Sequence, residues 1–261
     1  MKVLFIGDIF GKAGRSIIID RLPELKEELS IEFCVANGEN VAQGRGITEK
    51  TAKPLFEAGI DVFTSGNHLW DKKGALEFIK SEPRILKPIN IAESAYGNDY
   101  YLHQFSDGRK IAVFTVIGQA FMGPADSPFR ACEKMLAKLR KETSTILVDF
   151  HAEATAEKRA LGFFLAGKVS ALLGTHTHIQ TADEEILKPG TAYLTDAGMT
   201  GPHDSVIGVK KEIILEKMMS DMPKRYEPAE GGLELNGVYL EIDDESGRAV
   251  DIRRIKRKYN E

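Results

Sequence analysis

Two histidines stand two residues apart in Gly174-Thr175-His176-Thr177-His178, directly after Lys168-Val169-Ser170-Ala171-Leu172-Leu173. That small-then-apolar run, bounded by glycine at each end, has the character of a fully buried strand. On extended backbone alternate side chains share a face, so His176 and His178 are expected to point at one centre. Neutral imidazole is a common metal ligand, which makes a two-metal or metal-plus-substrate site the chemistry to look for. Similar residues recur where other apolar runs end. Asp8 follows Lys2 to Gly7, and Glu39 and Asn40 follow Ile31 to Ala36. Asn67 and His68 follow Asp61 to Ser65, and His151 follows Thr145 to Phe150. Singly, each is explained as a turn former, a residue tolerant of left-handed backbone or a core histidine. Jointly they put four of the six histidines at strand ends, which those explanations do not cover.

The set suits cations. A carboxylate can bridge two metals about 3.5–4 Å apart while imidazole and amide oxygen complete each shell. Nitrogen and oxygen donors without thiolate point to iron, manganese or zinc rather than magnesium or calcium.

The elements that must position these residues alternate. After the first strand, the turn Asp8 to Gly14 leads into a helix from about Arg15 to Leu29, with Pro23 marking a kink. Thr48 caps a second helix beyond the loop Gln43-Gly44-Arg45-Gly46. With the strands between, this is β-α-β-α-β, an α/β chain with helices packed on a sheet. In open sheets of this type ligands bind in the crevice beyond the carboxyl ends of the strands, so five strand ends converge on one rim. The second half is richer in strands. Tyr100–Phe105 and Lys110–Val116 form a hairpin around Ser106-Asp107-Gly108, and Ser127-Pro128 starts a helix to about Lys141. A helix over about Ala156–Ala166 precedes the histidine motif, and a strand over Gly190–Thr195 comes after it. A helix over Val209–Met219 and a hairpin of Glu234–Ile242 with Ala249–Ile255 end the chain. With no repeat, linker or low-complexity segment, 261 residues are read as one domain, 1–261.

Composition is that of an ordinary globular protein, 43% apolar and 28% charged. No apolar run approaches the roughly 18 residues that span a bilayer. The apolar run at the N-terminus is too short for a signal peptide, so a cytoplasmic protein without membrane partners is expected. Cys34 and Cys132 sit in apolar contexts and are read as buried thiols. A net charge of −4 argues against a general nucleic-acid binder, and the basic run Arg253 to Lys258 is read as the solvated face of a last strand.

At this point the residues carry a resemblance. Asp8, Gly38-Glu39-Asn40, Gly66-Asn67-His68, His151 and Gly174-Thr175-His176-Thr177-His178, in that order, resemble the calcineurin-like metallophosphoesterase superfamily. The longer strings Gly7 to Arg15, Asn67 to Asp71, His151 to Thr155, Thr175 to Asp183 and Thr195 to Pro202 resemble its compact bacterial branch of 2′,3′-cyclic nucleotide phosphodiesterases. The resemblance implies a four-layer α/β/β/α sandwich and two transition-metal ions. Asp8, Asn40 and His178 would serve one, Asn67, His151 and His176 the other, and Glu39 both, with His68 outside the ligand shell. Phe10 and Glu39 depart from the general superfamily pattern, where a histidine ligand and a bridging aspartate stand, and Asn40 replaces the lost ligand.

The implied activity is hydrolysis of small phosphodiesters by a metal-bridged hydroxide, with His68 protonating the leaving group. A nuclease acting on RNA or DNA, and a regulatory protein that senses phosphoesters with weak turnover, remain open alternatives, and a second copy of the chain is a further expected partner. Trp70 and Arg45 are each balanced between substrate contact and a structural or exposed role. His103 is read as structural, His203 as a loop residue within reach of the rim, and Met199, Met218 and Met219 as core. Substrate choice is expected to depend on the loops 41–47, 119–127 and 199–206.

Overall fold

The computed structural model describes residues 1–259. In chain order the first half comprises β1 (Lys2–Ile6), β2 (Asp8–Ile9), α1 (Gly11–Leu29), β3 (Phe33–Asn37), α2 (Glu49–Glu57), β4 (Val62–Thr64), α3 (Leu76–Ser81), β5 (Tyr100–Gln104) and β6 (Lys110–Ile117). The second half comprises α4 (Pro128–Leu139), β7 (Ile146–His151), α5 (Thr155–Leu165), β8 (Ala171–Thr175), β9 (Glu185–Leu187), β10 (Thr191–Leu194), β11 (Met199–Pro202), α6 (Lys211–Ser220), β12 (Leu233–Ile242) and β13 (Ala249–Tyr259).

Two sheets stack face to face. The first has the order β2-β11-β12-β1-β3-β4, with β13 also paired to β12, and the second has the order β5-β6-β7-β8-β10-β9. β1, β3 and β4 are parallel, as are β6, β7, β8 and β10. Val3, Phe5, Phe33 and Val35 meet Val113, Leu147 and Leu173 between the sheets. The alternate residues Leu4, Ile6, Cys34 and Ala36 face outward onto Ile18, Leu22 and Leu25 of α1 and Leu55 of α2. On the far side Ile146, Val148 and Leu172 pack under Leu136 of α4 and Leu161 and Leu165 of α5. Strands covered on both faces must be apolar at successive positions, which is why these runs are continuous rather than alternating. The layers are therefore α/β/β/α, and the rim lies between two sheets rather than along the edge of one.

Several boundaries differ from the sequence reading. α1 begins at Gly11 rather than Arg15 and runs through Pro23, while α6 begins at Lys211 rather than Val209. β2, β9, β11 and α3 were not legible, because two to six residues carry no measurable period. α2 has its expected cap, Thr48 and Thr51 exchanging side-chain and backbone bonds. Met199 is buried, but Met218 and Met219 are 72% and 87% exposed, contrary to their reading as core. They lie on α6, which buries only Ile214 among its residues. Cys34 and Cys132 are buried and free, and burial pushes the Cys132 thiol up to about 12. The basic run lies on β13 and is paired outward, Arg254 with Glu184, Arg257 with Glu28, and Lys256 and Lys258 with Glu234. No helix among the described residues is long and apolar enough to cross a membrane.

Candidate metal centre

The strand ends deliver their polar residues to one place. Asp8 comes from β2, Glu39 and Asn40 from the turn after β3, Asn67 from the turn after β4, His151 from the end of β7, and His176 and His178 from the turn after β8. Asp8, Glu39 and His151 are buried, and each offers a ligand atom within 4.8 Å of the other two. Asp8, Glu39, Asn40 and Asn67 belong to strand ends of one sheet, and His151, His176 and His178 to strand ends of the other. Gly66 makes the approach possible, since a Cβ there would stand 2.0 Å from His151 Cδ2.

The contacts divide into two groups that share Glu39. In one, His151 Nε2 lies 3.2 Å from Glu39 Oε1, 3.1 Å from Asn67 Oδ1 and 3.1 Å from His176 Nδ1. One ring nitrogen carries at most one proton and cannot satisfy three acceptors, whereas a cation at their meeting point satisfies all of them. In the other, Asn40 Nδ2 lies 3.3 Å from Asp8 Oδ1, 3.4 Å from Glu39 Oε1 and 3.3 Å from His178 Nε2, again two protons for three acceptors. Turning that amide over would present its oxygen to the same point. Two carboxylates, three imidazoles and two amides, without thiolate, are a donor set for iron, manganese or zinc.

The histidine pair reaches these positions differently from the sequence reading. β8 ends at Thr175, and His176 and His178 have φ of +99° and +65°, so neither stands on extended backbone and the two do not share a centre. His176 turns to His151, and His178 to Asp8, at 3.6 Å, and Asn40. Left-handed backbone at a non-glycine residue costs about 1–2 kcal/mol, so the turn must be held from outside. Asp8 Oδ2 accepts from the His176 amide at 3.2 Å, and Asp196 Oδ2 accepts from the Thr177 amide at 3.1 Å. The fully buried Lys158 of α5 donates to the Thr175 carbonyl at 2.8 Å and to Asp196 Oδ2 at 2.7 Å. Lys158 was missed in the sequence, where a helical lysine carries no sign of burial.

Each rim imidazole has its second nitrogen held as well, which fixes ring orientation. His151 Nδ1 meets Thr175 Oγ1 at 2.9 Å, and that hydroxyl donates to Asp149 at 2.7 Å. His176 Nε2 meets Glu153 at 3.1 Å, His178 Nδ1 donates to the Ile207 carbonyl at 3.0 Å, and His68 Nδ1 meets Asp71 at 2.9 Å. His68 stands beside the groups rather than in them, its Nε2 at 3.2 Å from Asn67 Nδ2 and its backbone amide donating to Glu39 Oε2 at 3.1 Å.

The electrostatics favour a cation. Burial works against the Asp8 carboxylate, yet attraction and a hydrogen bond from His178, with His151 beyond, hold it well below the usual carboxylate range. Glu39 is likewise lowered, burial being outweighed by His151. Burial opposes charge on His151, but Glu39 and then Asp8 raise it to about 9. Burial, then repulsion from His151, pushes His176 down to about 4, leaving it neutral and able to ligate. Two charged carboxylates are thus kept in a buried place where protonated histidine serves as counter-charge.

A cavity of about 480 Å³ opens over the groups. Its floor includes Glu39, Asn40, His176 and His178, and its wall is Phe10, Ile207, Val209, Tyr226 and Pro228. Arg45 lines it, 4.0 Å from Asp71. Of the three loops expected to close the rim, only 41–47 contributes to this lining; Ile207, Val209 and residues 226–228 take the place of the other two. Trp70 packs against the outer core of the first sheet and donates to the Tyr96 carbonyl. His203 binds the Met199 carbonyl and faces Asn236 and Glu234, and His103 stacks among Phe33, Tyr101 and Phe105.

A family model described as YmdB-like protein matches residues 4–255. A 2′,3′-cyclic-nucleotide 2′-phosphodiesterase of Bacillus subtilis (strain 168) is 44% identical over 255 residues, covering 98% of this chain and 96% of that protein. The crystal structure of a novel phosphatase from Mycoplasma pneumoniae superposes with a TM-score of 0.93 at 32% identity, over 99% of this chain and 93% of that one. A hypothetical protein from Thermus thermophilus superposes with a TM-score of 0.93 at 36% identity over the whole of both chains.

Proposed function

The chain belongs to the YmdB-like protein family, and from that membership and the two donor groups we propose that it is a metal-dependent phosphodiesterase that opens nucleoside 2′,3′-cyclic phosphates. The observation that carries this reading is Glu39 Oε1, which stands in contact with both groups at once, 3.2 Å from His151 and 3.4 Å from Asn40. Asp8, Asn40 and His178 would hold one ion, Asn67, His151 and His176 the other, and Glu39 would bridge them. Two bound iron, manganese or zinc ions supply positive charge for the nonbridging phosphate oxygens and lower the pKa of a water.

The chain's own residues do the rest. The wall of Phe10, Ile207, Val209, Tyr226 and Pro228 receives the nucleoside, because an apolar face beside a polar floor matches a base and sugar attached to a phosphate. Asp71 holds Nδ1 of His68, which leaves Nε2 facing the floor. As the oxygen of water joins phosphorus, the bond from phosphorus to the ribose 2′-oxygen opens, and His68 Nε2 gives that oxygen its proton. The product is the 3′-monophosphate.

Elemental analysis of protein purified without chelator, run beside hydrolysis of 2′,3′-cyclic AMP and bis-p-nitrophenyl phosphate, tests this. Two transition-metal ions per chain with cyclic-nucleotide turnover are expected. Protein that takes up no transition metal when offered it would end the reading.

A further inference from the structure

A second cavity, of about 920 Å³, adjoins the one over the donor groups and shares with it Gln43, Tyr226, Glu227 and Pro228. The two hollows are therefore the sides of one ridge, and a ligand seated on the floor of the first can continue over the ridge into the second. Their chemistry differs. The first pairs an apolar wall with a polar floor, whereas the second gathers Lys12, Arg15, Lys210 and Arg225 against Glu227 and Glu230. Lys210 is occupied with Glu227 at 2.7 Å, and Arg15 spends one N–H on the Val41 carbonyl while keeping its charge. Lys12 and Arg225 are exposed and enter no ion pair or side-chain hydrogen bond among the described residues. In a chain of net charge −4, this local surplus of cations beside a phosphodiester site is the charge pattern that suits a second phosphate.

We propose that the cleft extends past the cyclic phosphate, and that the substrate class is an oligoribonucleotide ending in a 2′,3′-cyclic phosphate. Its terminal nucleotide lies against Tyr226 and Pro228, and its next phosphate lies between Lys12 and Arg225. This rests on the phosphodiesterase reading above and uses the same reaction: water's oxygen joins the terminal phosphorus, the bond to the 2′-oxygen opens, and the internal linkages stay intact. The apolar wall explains why such an end is bound one nucleotide deep, since one base and sugar occupy the first cavity and the adjoining phosphate meets cations.

The test compares 2′,3′-cyclic AMP with a synthetic pentaribonucleotide bearing a 2′,3′-cyclic phosphate, on the metal-loaded full chain and on Lys12→Glu/Arg225→Glu. Both changes are at exposed positions, and a glutamate in the first turn of α1 is favourable to that helix, so folding is not at stake. For the native chain kcat/KM on the pentamer is expected to exceed that on the mononucleotide and to fall with salt. The double variant should lose about tenfold on the pentamer, with a shallower salt slope by about 0.7 per phosphate contact removed, and should leave the mononucleotide unchanged. Equal kcat/KM on both substrates in the native chain, or equal loss on both in the variant, overturns the extended cleft. Failure of the native chain to open 2′,3′-cyclic AMP would instead overturn the phosphodiesterase reading itself.

Discussion

Replacing Lys158 by methionine is the perturbation that most directly tests how the histidine turn is held. The ammonium is fully buried, and its two bonds, 2.8 Å to the Thr175 carbonyl and 2.7 Å to Asp196 Oδ2, join α5 to the turn that carries His176 and His178. Methionine fills a similar volume, so cavity formation contributes little and the effect is electrostatic. It leaves Asp196 fully buried with two backbone donors, from Thr177 and Gly198, and no counter-charge. Removing one partner of a buried pair costs about 3–5 kcal/mol. For a domain of this size each kcal/mol moves Tm by about 2–4 °C, so a fall of about 6–20 °C is expected. Thermal unfolding of chelator-treated protein, followed by circular dichroism, measures it without contribution from bound metal. Lys158→Met/Asp196→Asn, which removes the stranded charge, should recover much of the loss. A single variant that melts within about 2 °C of the native chain would refute the argument, as would a double variant no more stable than the single one.

His68→Ala should keep its metal complement by elemental analysis while losing about 10²–10⁴-fold in kcat on 2′,3′-cyclic AMP; loss of metal would show that His68 is a ligand or a support for one. Glu153→Gln removes the charged partner of His176 Nε2, and metal affinity should weaken by about 10–100-fold in a competition titration, with an unchanged affinity counting against the orienting role. In the metal-free protein His151 holds its proton up to about pH 9, raised by Glu39 against the effect of burial, so metal must displace that proton at neutral pH. Apparent affinity should therefore fall as pH drops below about 9, with proton release visible as a buffer-dependent enthalpy in calorimetry. Gly66→Ala would drive a Cβ into the His151 ring, and a variant that still binds metal normally would mean that the ring and strand end can move apart.

The donor residues were legible because each sits at the end of a strand whose apolar run marks it, and strand ends in this architecture share a rim. What could not be read depends on partners far apart in the chain. Lys158 and Asp196 are separated by 38 residues, and nothing in the helical spacing of α5 distinguishes a lysine that enters the core from one that leaves it. The wall formed by Ile207, Val209, Tyr226 and Pro228 belongs to a segment with one short helix, where no period reports a face. The His-x-His motif is the instructive case. Strand alternation predicts that both rings face one centre, yet the backbone turns left-handed at each histidine and the rings part, one to His151 and one to Asp8. A continued strand would have placed both imidazoles in one group and left the other one imidazole short. The left-handed turns at His176 and His178, held by Lys158, Asp196 and Asp8, are what send the two rings of one motif to different donor groups.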